Sequence, residues 1–179
     1  MRLANTISPI QIKRAFVIAD RAKKEPISVA KRKVLSMSER SLNKIIGRKR
    51  RAEYENALWR SGSVRVSDVG AWRGAGGLPL SWTMGSIKDT ARLVKKALAF
   101  TPKKLKKRSR YAIPGILNNK RLLTQREKYL FPIVATGGSY RRRDMRKTKG
   151  DLDDGSMRAI ALAVSGKKKI RAYIASIKK

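Results

Sequence analysis

The apolar positions of this chain change period several times, and each change marks an element. Ile12, Ala15, Phe16 and Ala19 recur at i, i+3, i+4 and i+7, which is one stripe of an α-helix. Ser8 stands where an N-cap belongs and Pro9 at the favoured first helical position, while Pro26 ends the run. Lys13, Arg14 and Arg21 lie off the stripe. A second helix is predicted over 38–60, with Ser36 and Glu39 at capping-box spacing and Leu42, Ile45, Ile46, Tyr54, Ala57 and Leu58 as a broken stripe. Gly62 stops it.

The period then shortens. Residues 63–69 alternate with period two and predict a strand, followed by a glycine-rich stretch over 70–77. Residues 78–82 read as a short strand or an extended loop. Ser86 opens a helix over 87–100 that Pro102 stops, with Ile87, Ala91, Val94 and Leu98 facing inward. Thr124 and Glu127 have the spacing of another capping box, for a short helix ending before Pro132. Ile133, Val134 and Ala135 are strand-like, residues 137–150 form a polar loop, and a helix is expected over 156–165 with Gly166 as its C-terminal stop. Residues 170–177 make a closing strand. The fold class expected is α+β, a helical N-terminal half with a small mixed α/β C-terminal unit. The division reads 1–102 as a mostly helical basic domain, 103–120 as a basic connector and 121–179 as the α+β unit.

Charge changes the picture most. The 179 residues hold 45 Lys plus Arg against 12 Asp plus Glu, a net charge of +33, and so one-sided a charge repels itself unless a polyanion neutralises it. The hydrophobic share of 41% is enough for a core, so the chain is not a disordered basic tail. Cations occur in every segment, turns included, rather than on one face opposite an apolar stripe. That pattern points to nucleic acid and away from a membrane surface. No apolar run approaches the ~18 residues of a membrane span and no signal-peptide core opens the chain, so an intracellular place is expected: cytoplasm, nucleoid or the inside of a particle.

The absences narrow the chemistry. With no Cys and no His there is no disulfide, zinc finger, thiolate nucleophile or imidazole base. No Walker-type Gly-Lys-Ser/Thr occurs, and the glycines at 74–77 lack dinucleotide-binding spacing. No cofactor is expected.

Four cationic clusters stand out as candidate phosphate contacts: Arg48, Lys49, Arg50 and Arg51; Lys103, Lys104, Lys106, Lys107, Arg108 and Arg110; Arg141, Arg142 and Arg143; and Lys167 to Lys169. The first interrupts an apolar stripe, so it is expected to serve affinity and not the fold. Trp59, Trp72 and Trp82 fall within 24 residues and suit the core of the strand region, the alternative being stacking on unpaired bases, with Trp72 the one expected at the surface. Three of the twelve acids are Asp151, Asp153 and Asp154. They read as carboxylates favoring the start of the helix near 156. Alternatively they hold Mg²⁺ in a nuclease, since Asp151-Leu152-Asp153-Asp154 resembles the Asp-Leu-Asp-Asn motif of RusA-type resolvases.

The C-terminal stretch also resembles the ParB/sulfiredoxin-like superfamily. Asp154-Gly155-Ser156-Met157-Arg158 matches its Asp-Gly-x-x-Arg box opening a helix, followed here by Gly166 and the strand from Ile170, with Pro132-Ile133-Val134 as the strand before the box. Met157 stands where the family has His or Arg, and the cysteine of sulfiredoxin chemistry is absent. The resemblance implies an α+β unit in which Gly155, the helix start and Arg158 converge on a phosphate. The functional expectation is a nucleic-acid-binding protein, DNA favored over RNA, of a phage or mobile element. The alternative is a structural protein lying against packaged nucleic acid in a virion or ribosome-like particle, among other proteins of that particle.

Overall fold

A computed structural model describes residues 2–99, 114–116, 127–135 and 148–177. It is an α+β protein in three layers, with helices on both faces of one six-stranded sheet. The strands are β1 (Arg2–Ile7), β2 (Ala57–Arg65), β3 (Val69–Gly70), β4 (Ile133–Ala135), β5 (Gly150–Asp154) and β6 (Lys169–Ile177), in the order β1-β2-β6-β4-β5-β3. β6 is antiparallel to β2 and parallel to β4, and β5 is antiparallel to β4 and parallel to β3. β2 and β6 pair along their whole length, from Ala57 opposite Ile177 to Arg65 opposite Lys169. The sheet therefore takes strands from both sides of the 103–120 span, and the division into 1–102 and 121–179 does not follow any division of the sheet.

Alternation along β6 builds two cores at once. Ile170, Ala172 and Ile174 join Val64, Leu152 and Ile160 on one face, beneath α5 (Ile87–Ala99) and the final helix, α6 (Ser156–Val164). Tyr173 and Ala175 turn to the other face and meet Ile12, Ile18, Leu42, Tyr54 and Trp59. That face is covered by α1 (Pro9–Arg21), α2 (Ile27–Leu35), α3 (Glu39–Ile46) and α4 (Arg48–Asn56).

Several expectations are corrected. The single helix over 38–60 is two helices. Gly47, at φ 78, breaks the chain between α3 and α4, and from Ala57 onward the backbone is strand. Gly62 is thus a strand residue opposite Ala172. Ser38, not Ser36, caps α3, its side chain accepting from the Ser41 backbone N–H at 3.3 Å. Helix α2 and strand β1 carry no pattern that announces them. Lys13, off the apolar stripe, is nonetheless fully buried, and Leu98 is exposed while Ala97 takes the inward place. Residues 78–82 hold a 3-10 turn, Leu80–Thr83, and only a 3-10 turn, Lys128–Leu130, precedes Pro132. Within the 103–120 span, Ile116 is fully buried in the α5/α6 core, so that part of the expected connector is packed structure. As expected, Trp59 is buried and Trp72 is 44% exposed. Ser86 caps α5, exchanging bonds with Asp89. Gly166 follows α6 at φ 93.

Candidate functional site: the start of helix α6

Helix α6 leaves β5 through one residue. Gly155 sits at φ 84, ψ 17, the left-handed region that other residues enter at a cost of ~1–2 kcal/mol. A Cβ there would stand 3.0 Å from Pro132 Cα and 2.8 Å from Arg158 Nη2. Glycine is required on both counts, and it brings the backbone of β5, the Pro132 turn and the first turn of α6 together. The glycine-rich stretch closes the next side. Gly76, also at positive φ, lies against Met157 so closely that a Cβ would overlap its side chain, and the Trp72 backbone N–H donates to Ser156 Oγ at 3.1 Å. The C-terminal end of α1 supplies the far wall with Ala19, Ala22 and Lys23. The result is a cleft of about 360 Å³ at the helix start, floored by Asp153 to Arg158.

Arg158 is 6% exposed, and its Nη2 donates to Asp154 Oδ2 at 2.5 Å. Its Nε has no hydrogen-bond partner among the described residues. Gly155 and Arg158 therefore meet at one place, with the guanidinium already engaged on one edge by the carboxylate four residues before it.

All three aspartates are strand residues; Asp154 directly precedes the N-cap Gly155, whereas Asp151 and Asp153 are not helix-start carboxylates, which corrects the sequence reading for those two. Asp151 and Asp153 are buried within β5. Asp153 accepts from Arg50 Nε at 2.9 Å and Nη2 at 3.0 Å, and from the Tyr54 hydroxyl at 2.6 Å. Burial first, then the negative charge of Asp153, pushes the Tyr54 phenol far up, so it stays a donor. Asp154 accepts from Arg158, and Asp151 accepts from Thr148 Oγ1 at 3.0 Å. The carboxylates do not converge, two of them are held by guanidinium groups, and the described residues contain no cluster fit to hold a metal. A Mg²⁺ site does not fit this arrangement.

The first basic cluster divides. Arg48, Lys49 and Arg51 are exposed on α4. Arg50 is not a free surface cation: besides Asp153, its guanidinium lies 4.5 Å from the center of the Phe16 ring. It belongs to the fold, which corrects the expectation for that residue. Lys167, Lys168 and Lys169 are exposed just beyond α6, at the end opposite the cleft. Lys103, Lys104, Lys106, Lys107, Arg108, Arg110, Arg141, Arg142 and Arg143 lie outside the described residues.

Fold and cleft together define a three-layer α+β protein with a glycine-lined pocket at a helix start. Comparison with family models, with curated proteins and with solved structures returns no match. Among the described residues no helix is long and apolar enough to cross a membrane.

Proposed function

We propose that this chain is a basic nucleic-acid-binding protein that acts through the phosphate backbone, on DNA in preference to RNA, inside a cell or a nucleoprotein particle of a phage or mobile element. The observation that carries the reading is the uncompensated charge. Among the described residues, Asp20, Glu25, Glu39, Glu55, Asp68, Glu127, Asp153 and Asp154 already hold a Lys or Arg within 4 Å. The acids are spent on the fold, and the surplus cations remain for a polyanion. The cleft at α6, with Gly155 and Arg158, supports a likeness to the ParB/sulfiredoxin-like superfamily as a second place where phosphate is met. The nuclease alternative has no observation in its favor.

The test is a titration against duplex DNA, single-stranded DNA and structured RNA at several salt concentrations. With ~6–10 phosphates contacted, affinity falls ~10³–10⁵-fold between 50 and 200 mM salt. A flat salt response, or no binding to any of the three, overturns the reading. A structural role against packaged genome or ribosomal RNA is separated by whether the protein is found in purified virions or ribosomes.

A further inference from the structure

At the end of α6 opposite the cleft lies a larger groove, about 680 Å³, between α5 and the loop that enters β6. Three chain segments far apart in sequence bring cations to it. Helix α5 supplies Lys88, Arg92 and Lys95, the loop after Gly166 supplies Lys167, Lys168 and Lys169, and the end of β2 supplies Arg65. All seven are exposed, and none makes an ion pair or a side-chain hydrogen bond among the described residues. No acidic side chain lines the groove. Arg65 acts electrostatically on Asp68, which is paired with Lys149 at 3.3 Å.

The groove is built rather than a chance gathering of lysines. Its three segments are hydrogen-bonded through one residue: the Val66 backbone N–H donates to the Lys168 carbonyl at 3.1 Å, and the Val66 carbonyl accepts from the Lys88 N–H at 3.0 Å. Gly166, at φ 93, turns the loop, and the Lys167 N–H bonds back to Leu162 at 3.0 Å. The floor is the buried apolar surface of Val66, Ala91 and Ala163. Favorable charge at the C-terminus of α6 explains lysines at 167–169. It does not explain Lys88, Arg92 and Lys95, which stand at i, i+4 and i+7 on one face of another helix.

We infer that this groove seats the phosphodiester backbone of a nucleic-acid duplex. The inference rests on the proposed function and says where that binding happens. Spacing suits it: Lys88 to Lys95 spans about 10 Å along the helix, close to the axial length of three base-pair steps of ~3.4 Å in a duplex. Side-chain type suits it too. Five of the seven cations are lysines, which meet phosphate as point charges, and no amide or carboxylate is present to read base edges. No aromatic side chain lines the groove, so it offers no platform for unpaired bases, and this favors a duplex over a single strand.

The experiment compares two quadruple variants of equal net charge. One changes Lys88, Arg92, Lys95 and Lys168 to Gln. The other changes Lys24, Arg32, Arg40 and Lys44 to Gln, exposed cations on the opposite side of the sheet. Binding to a 25-base-pair DNA duplex, the same duplex in RNA, the single strand, and vesicles of anionic lipid is measured against salt. The groove variant loses about 3–4 units of the log–log salt slope for the duplex, and the control changes it by less than about one. Protection of lysines from acetylation gives a second readout on the unaltered protein, with Lys88, Lys95 and Lys168 shielded by duplex and Lys24 and Lys44 not. Binding of either duplex in the groove supports the inference, and the tighter one names its source. Equal losses in the two variants overturn the groove while leaving nucleic-acid binding intact. Tighter binding to the single strand or to vesicles overturns it as well. If the unaltered protein binds no nucleic acid, the proposed function falls first.

Discussion

At the scale of single residues, the contrast between Arg48 and Arg50 carries the clearest lesson. They are two positions apart in one basic run, and nothing in their chemistry separates them. Position on α4 does: Arg50 reaches Asp153 and covers Phe16, while Arg48 faces outward. Asp153 has a side chain 2% exposed and accepts from both Arg50 and Tyr54. Removing one partner of such a pair leaves a buried group uncompensated, at about 3–5 kcal/mol. Asp153→Ala and Arg50→Gln are therefore expected to lower the urea midpoint strongly, with Arg48→Gln within about 0.5 kcal/mol of the unaltered protein. A basic cluster whose four members behave alike in urea unfolding contradicts this account.

At the scale of elements, the helical layer of α1, α3 and α4 is joined by Lys13. Its Nζ lies 2.6 Å from both Glu39 and Glu55, which hang from α3 and α4. Burial lowers the Lys13 pKa, but the hydrogen bonds and attraction of the two glutamates outweigh it and leave it raised. The hydrogen bond from Lys13 is the main cause that depresses Glu55. The signs give two limits. Stability from the depressed Glu55 is present above the ordinary carboxylate range and is lost as pH falls through and below it. Stability from the raised Lys13 is present up to the ordinary lysine range and is lost as pH climbs past it. Both glutamates are more than a third exposed, so removing the lysine strands no buried charge. Lys13→Met is expected to stay within about 1.5 kcal/mol of the unaltered protein at neutral pH, and to flatten the acid limb of a stability–pH curve. An acid limb as steep as before places the pH dependence elsewhere. The element boundaries teach a similar point. Residues 57–60 continue the stripe of α4 well enough to pass for helix, yet they pair with 174–177 of β6, more than a hundred positions away. β1 has no alternation of its own and is a strand because β2 offers it an edge.

At the scale of the whole molecule, the charge of +33 is a destabilizing field as well as a binding device. Screening reduces self-repulsion, so the melting temperature is expected to rise as NaCl is raised from 50 to 500 mM, and to rise further with duplex DNA at low salt. A melting temperature that falls with added salt means the internal ion pairs outweigh the net repulsion.

What the sequence determined by itself is what depends on composition and on near neighbors: the α+β class, the one-sided charge, the capped starts of α1 and α5, the glycine stop after α6, and the meeting of Gly155 with Arg158 within one turn. What only the tertiary structure decided depends on partners distant in the chain. It turned Asp153 from a helix-start carboxylate into a buried acceptor for Arg50 and Tyr54, and it buried Lys13 between two helices. It also gathered Arg65, three cations of α5 and the lysines after Gly166 around one groove. The physical reason is that local pattern sets which face of an element is apolar, whereas charges and hydrogen-bond donors find their partners across the sheet. A lysine or an aspartate looks the same in sequence whether it ends in water, in an ion pair or beside a phosphate.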